Sequence, residues 1–166
     1  ALASAWYLGE RGDCCFTGCF GEGNAADSLV EDAKAAGLSL RVKRSGAASV
    51  TAVLVETNGQ RTFCHSRGAN DKLTVTDLLQ IPLAGRHLIH LGGWGLLGAL
   101  EGNRQDRPPV EEFFAQARNA DCRTSLDTVC LGKAAPGSKW RLLETLLMHM
   151  SYVFMSVDEA PYFTRL

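Results

Sequence analysis

The spacing of hydrophobic and polar positions changes period several times along this chain. Residues 1–8 are spaced like the end of a helix, closed by Gly9. Residues 13–20 carry little polarity, which predicts a short strand buried on both faces. Residues 24–36 place Leu29, Ala33 and Ala36 on one side and Glu31, Asp32 and Lys34 largely on another, an amphipathic helix stopped by Gly37. The period then falls to two. Val50 to Val55 and Gln60 to His65 alternate about Thr57-Asn58-Gly59, which predicts a β-hairpin with no room for a helix between its strands.

Strand and helix patterns resume after the hairpin. Thr74 to Gln80 reads as a short helix capped by Thr74, with Asp77 three residues on. Arg86 to Leu91 reads as a strand ending in Gly92-Gly93-Trp94-Gly95. Pro108 and Pro109 open a helix that runs through Arg118, with Glu111 and Glu112 in its first turn. Cys122 to Leu126 is a strand ending in Asp127-Thr128, Lys139 to Met150 a helix, and Tyr152 to Met155 a last strand followed by Ser156-Val157-Asp158-Glu159-Ala160. The order predicts an α/β fold: a mostly parallel sheet flanked by helices, with a β excursion over residues 40–66. Polar residues gather just after strand ends, where open α/β sheets bind ligands.

Composition narrows the function classes. The 166 residues suffice for one domain, and 46% hydrophobic with 21% charged residues is globular. A net charge of −1 leaves no basic footprint for nucleic acid or for a membrane surface, and no apolar run is long enough to span a bilayer. The start, Ala1-Leu2-Ala3-Ser4-Ala5, has neither Met nor a charged leader and reads as mid-helix, so the chain is expected to be a fragment. Six cysteines, Cys14, Cys15, Cys19, Cys64, Cys122 and Cys130, form no C-x-x-C. Cys14 and Cys15 are neighbours on a strand and point to opposite faces, which does not suit one metal. They read as small buried hydrophobes in a reducing cytosol.

Two strings imitate phosphate-binding loops. Gly21-Glu22-Gly23-Asn24-Ala25-Ala26 is a G-x-G-x-x-A between strand and helix, but the next strand reads Arg41-Val42-Lys43-Arg44 instead of ending in an acidic residue. The basic residues leave an NADP-binding oxidoreductase domain as an alternative. Gly132 to Lys139 resembles a P-loop with its last two residues exchanged, and Pro136 removes a backbone donor from the cradle.

Taken together the segments resemble the ribokinase/PfkB family of ATP-dependent carbohydrate kinases. The resemblance rests on the block Gly18 to Leu29, the lid hairpin ending in Gly68-Ala69-Asn70, and His90-Leu91-Gly92-Gly93. It rests further on Thr124-Ser125-Leu126-Asp127-Thr128 with Trp140 downstream, and on Met155-Ser156-Val157-Asp158-Glu159-Ala160. The sequence departs from the family pattern at Gly23, where the family has Asp, and at Ala26, where it has Gly; Met155 and Ser156 stand in place of Pro and Asn. The resemblance implies a partial ribokinase-like domain over residues 1–166, with residues 40–66 as its lid. The family's N-terminal sugar clamp and its G-x-G-D block with the catalytic Asp match nothing in the chain, so that Asp is expected beyond Leu166 and the isolated chain is expected to be inactive. ATP is the implied co-substrate and Mg²⁺ the implied metal, reached through water by Glu159 with Ser156 beside it. Asn70, Gly93, Trp94 and Asp127 are the implied sugar-binding residues, with Trp94 offering a stacking face. The resemblance further implies a cytoplasmic kinase and a homodimer paired through the lid. A non-catalytic sugar-binding or dimerisation module is the remaining alternative.

Overall fold

The structure, a computed structural model, describes residues 14–102, 107–129, 137–157 and 159–162. The expected helix at residues 1–8, Cys130, most of the P-loop-like string and Asp158 lie outside the described residues. The chain divides into two compact units, residues 1–73 and 74–166.

In the first unit, strand β1 (Cys15–Phe20) leads into helix α1 (Asn24–Ala35) and returns as β2 (Ser39–Arg44), parallel to β1 with Cys15 opposite Ser39 and Phe20 opposite Arg44. Helix α1 buries Ala26 and Ala33, seven residues apart on one stripe, whereas Leu29 is 55% exposed. The buried face is therefore rotated from the one expected around Leu29, and it is narrow because small side chains make it. Gly37 closes the helix at φ +78°, a left-handed conformation that glycine adopts without steric cost.

The hairpin forms where the alternation places it. Strands β3 (Val50–Val55) and β4 (Arg61–Ser66) pair antiparallel, with Val50 opposite Ser66 and Val55 opposite Arg61. The turn closes through Glu56 N–H to the Gln60 carbonyl (2.8 Å) and Gln60 N–H to Asn58 Oδ1 (2.8 Å), with Gly59 at φ +83°. Val50, Val53, Leu54, Val55 and Phe63 are all exposed. Cys64, on the same ribbon, is exposed too, unlike the buried thiol expected there. Cys19 and Cys122 are buried, Cys14 and Cys15 half-buried, and none of these five forms a disulfide.

The base of the hairpin explains Gly21, the first glycine of the G-x-G-x-x-A string. A Cβ on Gly21 would lie 2.1 Å from the Ala48 backbone nitrogen, and one on Gly68 would lie 2.7 Å from the Ala47 carbonyl oxygen. Glu22 N–H bonds the Gly46 carbonyl, Ala69 N–H bonds the Ala47 carbonyl and Ser49 Oγ donates to the Arg67 carbonyl, each at 2.8 Å. Gly21 thus lets two stretches of backbone touch within the chain itself. Two of the three basic residues of β2 are also engaged internally: Arg44 bonds the Gly21 carbonyl (2.8 Å) and Asp27 (2.6 Å), and Lys43 bonds the Lys72 carbonyl (3.1 Å).

The second unit is a three-stranded parallel sheet in the order β5 (Leu88–Trp94), β6 (Arg123–Thr128), β7 (Tyr152–Phe154). Helix α2 (Val75–Leu79) begins with the expected capping box between Thr74 and Asp77. Helix α3 (Gly98–Glu101) follows β5, α4 (Glu111–Asn119) precedes β6 and α5 (Gly137–Leu147) precedes β7. Pro108 and Pro109 lie in the turn before α4 and not within it. Leu100, Val110, Phe113, Phe114, Ala117, Leu126, Leu142, Leu143 and Leu146 form its buried core. Cys122, at the foot of β6, donates to the carbonyls of Arg86 (3.3 Å) and Leu83 (3.6 Å); burial pushes its thiol pKa up, and the charge of Asp121 adds to that.

Gly21→Ala is expected to destabilise the chain by about 1–3 kcal/mol, because backbone and not a movable side chain meets the new methyl. A urea unfolding curve tests this; an unchanged midpoint would contradict the packing role of Gly21.

Candidate functional site

The polar residues that the sequence gathers at strand ends fall in different places. Asn70 lies in the first unit, in a 3-10 turn over Gly68–Lys72, half-buried, with its backbone N–H on the Arg67 carbonyl (2.9 Å). Gly93, Trp94, Asp127, Ser156 and Glu159 belong to the second unit and stand at or just beyond the carboxyl ends of β5, β6 and β7.

Strand β5 ends irregularly. The register with β6 slips between Gly92 and Trp94, so that Gly92 faces Asp127 and Trp94 faces Thr128. Gly93 sits in the bulge at φ +88°, where an added Cβ would meet nothing within 4 Å. The glycine is required by conformation, and the backbone there is open to approach. Trp94 differs from the expectation. Its side chain is 1% exposed and so presents no face to a sugar ring. A strand-end aromatic reads the same in sequence whether the ring turns outward or inward, and here it turns inward. Its indole Nε1 is buried without a hydrogen-bond partner.

Beyond Trp94 the chain makes a turn with little trace in the hydrophobic pattern. Glu101, 3% exposed, accepts the backbone N–H groups of Gly95 and Leu97 on Oε1, both at 2.7 Å. A carboxylate that takes two backbone donors pins the loop after Gly93 and Trp94 and satisfies polar groups that would otherwise be buried at a cost. The only signal was an acidic residue closing the apolar run Leu96-Leu97-Gly98-Ala99-Leu100.

The densest cluster forms around Glu159, which is 5% exposed. Its Oε2 accepts three hydrogen bonds, from Ser156 N–H, Ser156 Oγ and Thr128 Oγ1, each 2.9 Å long. The turn is closed by Glu159 N–H and Ala160 N–H on the Ser156 carbonyl (3.0 and 3.1 Å). This is half of a capping box: the carboxylate reaches back to the N–H of Ser156, while the serine hydroxyl also donates to it. Thr128 completes the cluster from the end of β6 and lies 3.3 Å from the Phe154 carbonyl at the end of β7. Asp127, the neighbour the sequence singles out, is half-buried and has no part in the cluster.

Mg²⁺ takes oxygen ligands and is commonly held by one or two carboxylates, waters and a substrate phosphate. Among the described residues no three His, Cys, Asp or Glu side chains gather into a metal-binding group. Glu159 and Ser156 present oxygen atoms, the ligand type that Mg²⁺ takes.

A sheet of parallel strands with polar groups collected beyond its carboxyl ends is the arrangement in which open α/β proteins bind ligands. The pfkB family carbohydrate kinase profile matches residues 1–165, and the chain belongs to that family. No curated protein matches it significantly in sequence. Among solved structures it is similar to a ribokinase from Giardia lamblia (TM-score 0.79, 15% identity), covering 98% of this chain and 47% of that one. It is similar also to a fructokinase from Xylella fastidiosa (TM-score 0.74, 19% identity; 99% and 50% covered). An adenosine kinase from Anopheles gambiae is alike to the same degree (TM-score 0.76, 19% identity; 99% and 48% covered). The chain thus spans about half the length of these relatives, and at such identities the likeness establishes the ribokinase-like fold. None of the described helices is long and apolar enough to cross a membrane.

Replacing Glu101 by Ala should destabilise the chain by about 1.5–3 kcal/mol, the scale of hydrogen bonds to a charged group. Glu101→Gln, which keeps an acceptor oxygen, should recover part of that loss. Equal urea midpoints for Glu101→Ala and the parent would show that the loop is held by something else.

Proposed function

We propose that this chain is the central part of an ATP-dependent kinase that phosphorylates a hydroxyl of a sugar or sugar-like substrate. The observation that carries the reading is the buried carboxylate of Glu159, held by three donors at the place where the parallel strands end. Phosphoryl transfer needs positioned charge more than covalent chemistry. Mg²⁺, when bound, neutralises charge on the transferring phosphoryl group. Glu159 would hold the water around that ion, and Ser156 would share the task from the same turn. Gly93 lets the ligand approach the backbone, and Asp127 offers a hydrogen bond to a substrate hydroxyl; Asn70, in the first unit, is read separately as a substrate-binding residue. Trp94 supports the end of β5 from within. The general base that removes the hydroxyl proton is an Asp outside these residues, so the 166-residue chain by itself is inactive.

The same reading makes residues 1–166 a partial ribokinase-like domain with residues 40–66 as its lid, in a cytoplasmic protein that binds neither nucleic acid nor membrane. The ribbon β3–β4, whose exposed Val50, Val53, Leu54, Val55 and Phe63 lack cover, favours a homodimer in which a second copy covers it.

Glu159→Gln is the test of the metal-facing role. In a polypeptide that continues the chain to the length of its relatives, kcat should fall about ten- to a hundred-fold, the scale for a residue that orients a metal's surroundings. The sugar KM should barely move, and excess Mg²⁺ should restore part of the rate. An unchanged kcat with a lowered melting temperature would reduce Glu159 to a capping residue.

A further inference from the structure

The two hydroxyls on Glu159 Oε2 differ in their surroundings. Ser156 is exposed, so water competes for its hydroxyl, whereas Thr128 is 6% exposed and held within β6. Thr128 Oγ1 lies 2.9 Å from Glu159 Oε2 and 3.3 Å from the Phe154 carbonyl. Its one proton goes to the nearer, charged acceptor, where a hydrogen bond is about twice as strong as a neutral one. A β-branched residue on a strand has few χ1 choices, which holds the hydroxyl in place.

We propose that Thr128 is the positioning residue of this site, fixing the Glu159 carboxylate against the ends of β6 and β7 while the Ser156 side stays open to solvent. The proposal deepens the reading of Glu159 as the carboxylate facing the metal's water shell, and rests on it. Asp127 is then a neighbour of the working residue in sequence, one position short of it.

Hydrogen exchange followed by NMR tests the hold on Glu159 in the 166-residue chain itself. The Ser156 amide, bonded to Glu159 Oε2, should exchange about ten- to a hundred-fold faster in Thr128→Val. It should return to within about threefold of the parent in Thr128→Ser, which keeps the donor. The Ser125 amide on β6 serves as the reference for global unfolding, and Thr128→Ala replaces the valine variant if that does not fold. Unchanged Ser156 exchange in Thr128→Val, or equal acceleration in Thr128→Ser, would overturn the proposal. Mn²⁺ alone is the second probe: it should broaden the Ser156 and Val157 amide resonances in the parent and in Thr128→Ser, and lose that effect in Thr128→Val. Broadening that survives in Thr128→Val would also overturn the positioning role. Absence of broadening in the parent would overturn the metal reading of Glu159, while the exchange data still decide whether Thr128 holds the carboxylate.

Discussion

A carboxylate taken out of water has to be compensated on the spot, and Glu159 is compensated by three donors on a single oxygen. Two of those donors come from Ser156, three residues earlier in the same turn. The third comes from Thr128, thirty-one residues away, at the end of another strand. The local pair would form in any S-x-x-E turn. The distant donor exists only when β6 and β7 are parallel and in register, with Asp127 opposite Phe154. The buried charge and the sheet therefore depend on one another, and the chemical interest of the site follows from that dependence.

Further bonds keep the frame of the second unit. Thr124, fully buried, donates its hydroxyl to the His149 carbonyl, and Ser151 and Thr124 exchange backbone and side-chain hydrogen bonds. These contacts fix the entry into β7 just as Thr128 fixes its exit. Glu101 performs the corresponding task on β5, where the glycines that leave the backbone open would otherwise leave it loose. Buried carboxylates thus hold the loops at two strand ends.

How much of this was legible in the sequence depended on the range of the interaction. The hairpin, the Thr74–Asp77 capping box and the parallel α/β order were readable because alternation, Asn-Gly turn chemistry and cap residues act within a few positions. The face of α1 was misread because Leu29 outweighs alanine on any hydrophobicity scale, while the close approach selects Ala26 and Ala33. Trp94 was recognised as a strand-end residue but placed on the wrong side of the surface. Glu101 and Thr128 were passed over because their partners are backbone N–H groups in a loop and a carboxylate on another strand, and neither leaves a periodic trace. The glycine-rich string of residues 21–26 imitates a phosphate-binding loop for a related reason. Glycine is required wherever backbone approaches closely, and the approaching group here is the chain's own Ala47–Ala48 segment.

The most direct test of the central claim is phosphoryl transfer itself. A polypeptide extending this chain to the length of its relatives would be mixed with ATP and with ribose, fructose or adenosine, with and without Mg²⁺, and followed by phosphorus NMR. The account predicts a phosphate ester on the hydroxyl of at least one acceptor, formed only when the divalent cation is present. A folded polypeptide that phosphorylates none of the three, or one that works equally fast without Mg²⁺, would contradict it.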